Sequence, residues 1–247
     1  MGINLADFET RTASAVRVFW NARAGAVERQ RLAGIIDQGE RAAVTSGKNM
    51  DGFVGLIAEL VVVNGLHDAK VHLTRGVNTL PGYFRPTKDW DVVVVRRGIL
   101  IAAIELKSQV GPSFGNNFNN RSEEAIGSAV DFWTAYREGA FGDQPRPFIG
   151  WLIHVEDAPA SRRPVRTAST HFPVFPELVK ASYLERYDAL CKRLVLEGLY
   201  TETALVTSTR TGGPKGEFSD VSESNSLRRF VAAFSAHIAA EAAMHPD

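Results

Sequence analysis

The chain contains 247 residues with a mass of 27.0 kDa, which is long enough to bury a substantial core. Its 28 basic and 28 acidic residues give no net charge, which is evidence against indiscriminate coating of nucleic acid but does not exclude specific binding. A single cysteine, Cys191, excludes an intrachain disulfide and favours a reducing compartment. The segment that begins MGINLADFETR lacks the basic and apolar parts of a secretory signal, so we expect a cytoplasmic protein.

Helical spacing of apolar residues predicts two helices before the first strands. One covers residues 5 to about 30, and the other covers residues 51 to about 64. Glu59 stands in the middle of the second helix among leucine, isoleucine and valine, so it either lies on the exposed stripe or points toward a functional site. A short strand at residues 71–75 and a turn at Pro81-Gly82 follow.

A polar break, Arg96-Arg97-Gly98, separates two runs that are rich in β-branched residues and predicts an antiparallel hairpin. If these three residues form the loop, Val95 pairs with Ile99. The same register then places Ala103 opposite Asp91.

Three ionisable residues converge in that hairpin. Side chains alternate between the faces of a strand, so Glu105 and Lys107 point the same way, and the register brings Asp91 to their face. The two carboxylates offer hard oxygen ligands for Mg²⁺, which can supply an activated water near neutral pH. Lys107 can orient or deprotonate that water and offset charge on a phosphate. The alternative is an ordinary amphipathic strand whose charges face solvent.

The end of the second hairpin strand, which carries Glu105 and Lys107 and is the candidate catalytic strand, resembles a known family together with the residues after it. Residues 104–139, IELKSQVGPSFGNNFNNRSEEAIGSAVDFWTAYREG, closely resemble the XhoI family of type II restriction endonucleases, within the PD-(D/E)xK nuclease superfamily, as does the upstream segment GKNMDGFVGLIAEL. In the family pattern, E-x-K falls on Glu105-Leu106-Lys107 and the first acid on Asp91. Trp90 stands in place of the proline of the usual first motif, and Asp89 remains an alternative first acid.

The resemblance implies a fold and a metal. The fold is α/β (α+β), a PD-(D/E)xK restriction-endonuclease-like core with a mixed β-sheet flanked by helices. One domain would span residues 1–247, with an N-terminal helical segment over about 1–46 and the nuclease core over about 47–247. Mg²⁺ would be held by Asp91 and Glu105 with the backbone carbonyl of Leu106 as a further ligand, and Glu59 would join the catalytic acids.

The resemblance also implies a function, cleavage of both strands of DNA at the palindrome CTCGAG after the first cytosine to leave four-base 5′ overhangs. A palindrome implies a homodimer, because each half-site then meets an identical surface. The setting would be a restriction-modification system with a companion DNA methyltransferase, and the resemblance implies no stable complex between the two proteins. Two alternatives remain, a repair or junction-resolving nuclease on the same core and a DNA-binding module whose catalytic chemistry has decayed.

A polar segment follows the catalytic strand. Residues 110–121 contain two glycines, a proline and four asparagines, which predicts a surface loop. Asparagine can bind adenine, and arginine can bind guanine, with two hydrogen bonds each. The candidates for reading base edges are Asn116, Asn117, Asn119, Asn120 and Arg121. The alternative is that the asparagines serve turns and caps.

Two further groups of basic residues are candidates for DNA contacts. Arg162, Arg163 and Arg166 lie in an irregular stretch without acids, which is either a phosphate-contacting segment or a solvated loop. Arg210 and Lys215 flank a glycine-rich loop that lacks the spacing of a nucleotide-binding P-loop. We therefore expect this loop to face DNA or solvent.

The rest of the chain alternates helices and strands. Helices are predicted at residues 122–138, 182–197 and 224–243, and strands at residues 147–155 and 203–209. His154, near the end of the first of these strands, is predicted to be a core histidine rather than a neighbour of the active site. This order fits an α/β or α+β core with a mixed sheet between helices.

Overall fold

The computed structural model of the protein describes residues 3–32 and 49–244. Predictions for residues 33–48, which belong to the N-terminal segment and to the start of GKNMDGFVGLIAEL, lie outside the described residues. The helices are α1 (Phe8–Leu32), α2 (Asp51–Val63), α3 (Phe114–Arg137), α4 (Pro159–Arg162), α5 (Tyr183–Leu196) and α6 (Leu227–Met244). The strands are β1 (Lys70–His72), β2 (Thr79–Pro81), β3 (Thr87–Asp89), β4 (Val92–Arg96), β5 (Ile99–Gln109), β6 (Phe148–Glu156), β7 (Glu202–Ser208) and β8 (Ser219–Asp220).

Six of these strands form one mixed sheet in the order β1-β4-β5-β6-β7-β8. The central strands β5, β6 and β7 run parallel, whereas β1 with β4, β4 with β5, and β7 with β8 pair antiparallel. Strands β2 and β3 form a separate two-stranded ribbon. Since helices pack on both faces of the large sheet, the predicted mixed sheet flanked by helices is confirmed.

Each face of the sheet buries its own apolar cluster. Helices α1, α2 and α6 cover the first face, where Phe19 and Phe234 are fully buried. Helices α3 and α5 cover the second face, where Phe132, Tyr187 and Trp151 of β6 belong to one buried cluster. Strand residues alternate between the two clusters because side chains alternate along a strand. No helix within residues 3–32 and 49–244 combines the length and apolar character needed to cross a membrane.

The turn of the β4–β5 hairpin is shorter than predicted. Arg96 pairs with Ile99, so the loop consists of Arg97 and Gly98 alone. Both residues have positive φ, 50° and 82°, which is the backbone that a tight two-residue hairpin turn requires. The predicted pairing of Val95 with Ile99 is therefore wrong.

A β-bulge then moves the register by one more residue. Val95 pairs with Leu100, but Val94 pairs with Ala102, so Ile101 is an extra residue in β5. Without the bulge, the register set by the turn would place Asp91 opposite Ile104, on the first face. With the bulge, Asp91 comes to the face of Glu105. The shorter turn and the bulge each shift the register by one residue. Together they shift it by two, so Asp91 stays on the face where the sequence analysis placed it, beside Glu105.

Helix α3 begins at Phe114, so the prediction of a surface loop over residues 110–121 is wrong for most of that range. The predicted helix start at Ser122 is too late for the same reason. Phe114 is buried in the second cluster and Phe118 packs against that cluster. Residues four apart share a helix face, so these phenylalanines begin an apolar stripe that continues at Ala125 and overrides the turn preference of the asparagines.

The β2–β3 ribbon is fastened to α3 by a buried carboxylate. Asp131, 4% exposed, accepts hydrogen bonds from the backbone N–H groups of Tyr83, Phe84 and Arg85 at 2.8, 2.6 and 3.3 Å. Burial opposes ionisation of Asp131, but these hydrogen bonds outweigh it and lower its pKa below 3.8. The ribbon leads directly into β4, so this attachment helps to position the start of the hairpin.

Candidate active site

A cluster of four charged side chains, called the charged group below, lies on the second face of the sheet. It consists of Lys88, Asp91, Glu105 and Lys107, with Glu105 at its centre. Its side chain is 3% exposed, and its Oε1 lies 2.6 Å from Lys107 Nζ and 3.0 Å from Lys88 Nζ. Its other oxygen, Oε2, is buried and has no hydrogen-bond partner. Two ammonium groups therefore converge on one carboxylate oxygen and leave the second oxygen free.

Asp91 lies beside Glu105, just before β4 begins. Its N–H donates to Ile104 O at 3.2 Å, and its Oδ2 accepts from Leu106 N at 2.7 Å. The aspartate is thus tied to both neighbours of Glu105 on β5.

The electrostatics of the two acids differ. Burial raises the pKa of Asp91 above 3.8, and the negative charge of Glu105 adds to the rise. Burial also disfavours ionised Glu105, but the charges of Lys107 and Lys88 outweigh it and hold the pKa of Glu105 below 4.5. Glu105 is therefore held as a carboxylate, whereas burial disfavours the ionised form of Asp91 despite the nearby lysines.

The donor set of this pair fits a hard divalent cation. Both side chains are carboxylates, Glu105 Oε2 is unpartnered, and the raised pKa of Asp91 marks a carboxyl whose charge a nearby cation would stabilise. No group of three or more histidine, cysteine, aspartate or glutamate side chains with metal-binding geometry occurs within the described part of the chain. The protein supplies two carboxylates, which is the number that Mg²⁺ commonly takes when waters and a substrate phosphate complete its shell.

Lys107 links the acids to α3. Besides its contact with Glu105, its Nζ lies 3.9 Å from Glu124 Oε2, and its side chain is 20% exposed. Arg121 Nη1 lies 2.6 Å from the same Glu124 oxygen, while its Nε is buried without a hydrogen-bond partner. The structure therefore places Arg121, a predicted base-reading residue, within an ion-pair network that reaches Lys107.

Lys88 contacts Glu105 directly, and the sequence analysis did not identify it. It lies on β3, its side chain is 13% exposed, and its ammonium sits 4.8 Å from the ring centroid of Trp90. Three-residue strands such as β2 and β3 leave almost no periodic pattern in a sequence, so no signal connected Lys88 with Glu105.

The predicted base-reading asparagines lie on the first two turns of α3 rather than on a loop. Asn116, Asn119 and Asn120 are exposed and Asn117 is partly exposed. Residues three and four apart share a helix face, so Asn116, Asn119 and Asn120 form one polar stripe. The stripe directly precedes Arg121 and Glu124, the α3 residues whose ion pairs reach Lys107.

Comparisons with known proteins identify the family. The family model described as restriction endonuclease XhoI matches residues 29–220. Over 201 residues, 80% of this chain and 79% of the relative, the chain is 54% identical to the Type II restriction enzyme XhoI of Xanthomonas vasicola. The chain belongs to the XhoI family of type II restriction endonucleases. No solved structure gave a significant match.

Two further relatives, both named as type II restriction enzymes, support the assignment. The chain is 56% identical to the Type II restriction enzyme AbrI of Azospirillum brasilense over 172 residues, which is 70% of this chain and 77% of that enzyme. It is 45% identical to the Type II restriction enzyme BstVI of Geobacillus stearothermophilus over 213 residues, which is 84% of this chain and 95% of that enzyme. The family match includes β3, the β4–β5 hairpin and α3, which together carry the charged group.

The carboxylates of two acids that the XhoI-family resemblance offered are engaged by other residues. Glu59 of α2 pairs with Arg11 of α1 at 3.3 Å, in the layer that covers the first face of the sheet. The Asp89 carboxylate accepts a hydrogen bond from Thr79 of the ribbon and pairs with Arg75, which precedes β2, at 3.1 Å. The structure therefore brings Asp91, and neither Glu59 nor Asp89, into contact with the E-x-K strand.

The other basic candidates have different surroundings. Arg163 and Arg166 are exposed, and Arg162 is exposed but donates to Asp157 Oδ2 at 2.7 Å. Arg210 lies 2.6 Å from Glu156, and Lys215 is exposed.

The glycine-rich loop packs on α1 rather than standing free. A Cβ added at Gly213 would lie only 2.0 Å from ring atoms of Trp20, and Arg17 Nη1 donates to Lys215 O at 3.2 Å. Close approach to the Trp20 ring requires a residue without a side chain at position 213. The loop is therefore built partly for packing, while the Lys215 side chain still faces solvent.

His154 is a core histidine, as predicted. It is fully buried on the first face, where its ring lies 4.5 Å from the Phe19 ring, and its Nε2 is 2.7 Å from Ser208 Oγ. Burial lowers its pKa to about 3, so the imidazole is neutral near pH 7.

Proposed function

We propose that this chain cleaves both strands of DNA at CTCGAG, cutting after the first cytosine to leave four-base 5′ overhangs. The observation that carries the proposal is the convergence of Asp91, Glu105 and Lys107 on one face of the β4–β5 hairpin, with Glu105 Oε2 left free. The sequence of the target rests on the family and on the name XhoI of the relative that is 54% identical.

We propose that Asp91 and Glu105 hold Mg²⁺, with the carbonyl of Leu106 as a further ligand. When bound, such an ion lowers the pKa of a coordinated water and offsets negative charge on the phosphate. Glu105 would bind through Oε2, because Oε1 is already engaged by two lysines. The hydrogen bond from Leu106 N engages Asp91 Oδ2, so Asp91 would bind the ion through its other oxygen, Oδ1.

Lys107 is assigned the positioning of the attacking water and the neutralisation of charge on the phosphate. Its ammonium is tied to Glu105 at 2.6 Å and approaches Glu124 at 3.9 Å, so it is held between the strand and α3. A cation fixed before substrate binds stabilises developing negative charge without reorganising during the reaction.

The exposed asparagine stripe at the start of α3 is assigned to base reading. Asn116, Asn119 and Asn120 face solvent on the helix that follows the catalytic strand directly, so they can enter a groove while the scissile phosphate lies at Glu105. Exposed Arg163, Arg166 and Lys215 are assigned to phosphate contacts. A palindromic site calls for a homodimer, and cleavage of unprotected DNA calls for a companion methyltransferase in the same system.

A digestion experiment tests this proposal. Purified protein is incubated with a mapped plasmid and Mg²⁺, and the fragment ends are sequenced. We expect discrete fragments whose 5′ ends read TCGAG, and no fragments when a chelator removes the cation. Products that depend on DNA ends or branches would instead indicate a repair or junction-resolving nuclease, and complete inactivity with intact DNA binding would indicate a binding module. Fragments with unchanged yield in chelator would contradict the metal role.

A further inference from the structure

Two lysines contact Glu105, whereas the E-x-K pattern supplies only one. Lys107 belongs to that pattern, but Lys88 reaches the same Oε1 from another element, the β2–β3 ribbon, at 3.0 Å. The Lys88 side chain is 13% exposed and Glu105 is 3% exposed, so solvent screens their interaction weakly. This contact differs from surface ion pairs such as Arg75 with Asp89, where the arginine is 92% exposed.

The Lys88 side chain is directed toward Glu105 by its surroundings. Its ammonium also donates to Asp89 O at 3.2 Å and lies 4.8 Å from the centroid of the Trp90 ring, which is buried. The ribbon that carries it is fastened to α3 through Asp131. Lys88 is thus held at Glu105 by the fold and does not depend on a chance rotamer of a long surface side chain.

The charges of the site balance in this arrangement. Asp91 and Glu105 contribute two negative charges, and Lys88 and Lys107 contribute two positive charges. A divalent cation that binds at Glu105 Oε2 adds two positive charges within reach of both ammonium groups, so each lysine opposes its binding. Lys107 is required by the chemistry proposed above, whereas Lys88 has no assigned part in it.

We propose that Lys88 is a positioning residue that acts as a built-in counter-charge for Glu105, keeping the buried carboxylate compensated without a metal and weakening the affinity for the divalent cation. The inference rests on the proposed function, because it assumes that Glu105 is a metal ligand. A site with weak intrinsic affinity fills when DNA phosphate adds further negative charge, so binding of the cation becomes coupled to binding of DNA.

The first test measures Ca²⁺ binding to the DNA-free protein by isothermal titration calorimetry. Ca²⁺ takes oxygen ligands and serves as the probe. We expect Lys88→Met to lower the Kd for Ca²⁺ by about tenfold or more, because a weakly screened charge near the ligand oxygen is removed. Lys88→Arg should stay near the wild-type Kd. Arg75→Met removes an exposed positive charge from the same region and should leave the Kd unchanged.

The outcomes separate the inference from the proposed function. A Lys88→Met Kd equal to or higher than that of wild type would overturn the inference while leaving the metal site in place. Wild-type binding that Glu105→Gln does not weaken would overturn the metal role of Glu105, and the inference with it.

The second test needs no metal. Chemical unfolding is measured for wild type, Lys88→Met, Glu105→Gln and the double variant in the presence of a chelator. If Lys88 compensates the Glu105 charge, Lys88→Met lowers the unfolding midpoint in the wild-type background and has little effect in the Glu105→Gln background. Equal loss in both backgrounds would show that Lys88 acts by packing on Trp90, and would overturn the inference.

Discussion

Glu105 on β5 and His154 on β6 are buried ionisable side chains of neighbouring strands, and they lie on opposite faces of the sheet. Each leaves one buried atom without a hydrogen-bond partner, Oε2 in Glu105 and Nδ1 in His154. His154 is enclosed by aromatic rings and stays neutral, with a pKa of about 3. Glu105 keeps its charge because Lys107 and Lys88 surround it.

The comparison shows that burial of an ionisable group does not by itself indicate chemistry. On the first face, the protein accepts the cost of a buried imidazole by keeping it uncharged. On the second face, two lysines keep Glu105 ionised. Asp91 lies beside it, although burial raises the pKa of Asp91. The convergence of opposite charges around a free oxygen, rather than burial, distinguishes the candidate active site.

The largest expected effect separates the two faces directly. Glu105→Gln removes a proposed metal ligand without changing side-chain size, so we expect cleavage to fall by about 10³-fold or more. Glu59→Gln changes an acid in the layer on the first face and should leave the rate within a few-fold of wild type. Single-turnover cleavage of a duplex containing CTCGAG measures both, and a gel shift without divalent cation confirms that Glu105→Gln still binds. A cleavage rate for Glu105→Gln within a few-fold of wild type would contradict the proposed role of Glu105.

The asparagine stripe of α3 provides the next test. If Asn120 reads a base edge, Asn120→Ala should weaken binding to the cognate duplex by about 1 to 3 kcal/mol and relax the sequence preference. Arg163→Ala, which removes an exposed charge from the irregular segment, should weaken binding equally on cognate and random DNA. Competition binding at fixed salt measures the difference. Equal weakening of binding to cognate and random DNA by Asn120→Ala would show that Asn120 contacts the DNA phosphate backbone instead of a base.

The sequence allowed the fold class, most elements and the Asp91–Glu105–Lys107 group to be predicted, and the hairpin shows the limit of that reasoning. Alternation along β5 depends on local periodicity, which the sequence displays. The two-residue turn at Arg97-Gly98 and the bulge at Ile101 depend on backbone geometry and tertiary packing. The predicted faces of the acids were kept only because these two departures cancel.

The other differences have the same origin. Asparagines near residue 117 have turn preferences that indicated a loop, but burial of Phe114 and anchoring by Phe118 favour a helix. Lys88 reaches Glu105 through a ribbon whose attachment to Asp131 joins residues far apart in the chain. Such long-range contacts leave no local pattern, so a sequence cannot reveal them by periodicity.

The ribbon attachment gives a smaller expected effect, on stability. Asp131→Ala leaves three backbone N–H groups without their acceptor, which should lower the free energy of unfolding by about 1 to 3 kcal/mol. Glu123→Gln, an exposed acid on the same helix, should change it by less than about 0.5 kcal/mol. Denaturant titration measures both. A loss no larger than that of Glu123→Gln would mean that the ribbon is held by other contacts.

The last expected effect, which appears only at acidic pH, is the pH dependence of stability from His154. Its pKa is about 3 in the folded chain, against 6.5 for an ordinary histidine, so between these values the unfolded chain binds a proton that the folded chain does not. The free energy of unfolding should therefore fall as pH drops below 6.5, by at most about 1.4 kcal/mol per pH unit from this group. His154→Gln should remove this slope between pH 7 and pH 5, whereas His67→Gln, at an exposed position, should retain it. Identical slopes in wild type and His154→Gln, measured by denaturant titration, would mean that the buried imidazole accepts a proton and that the first face tolerates charge as the second does.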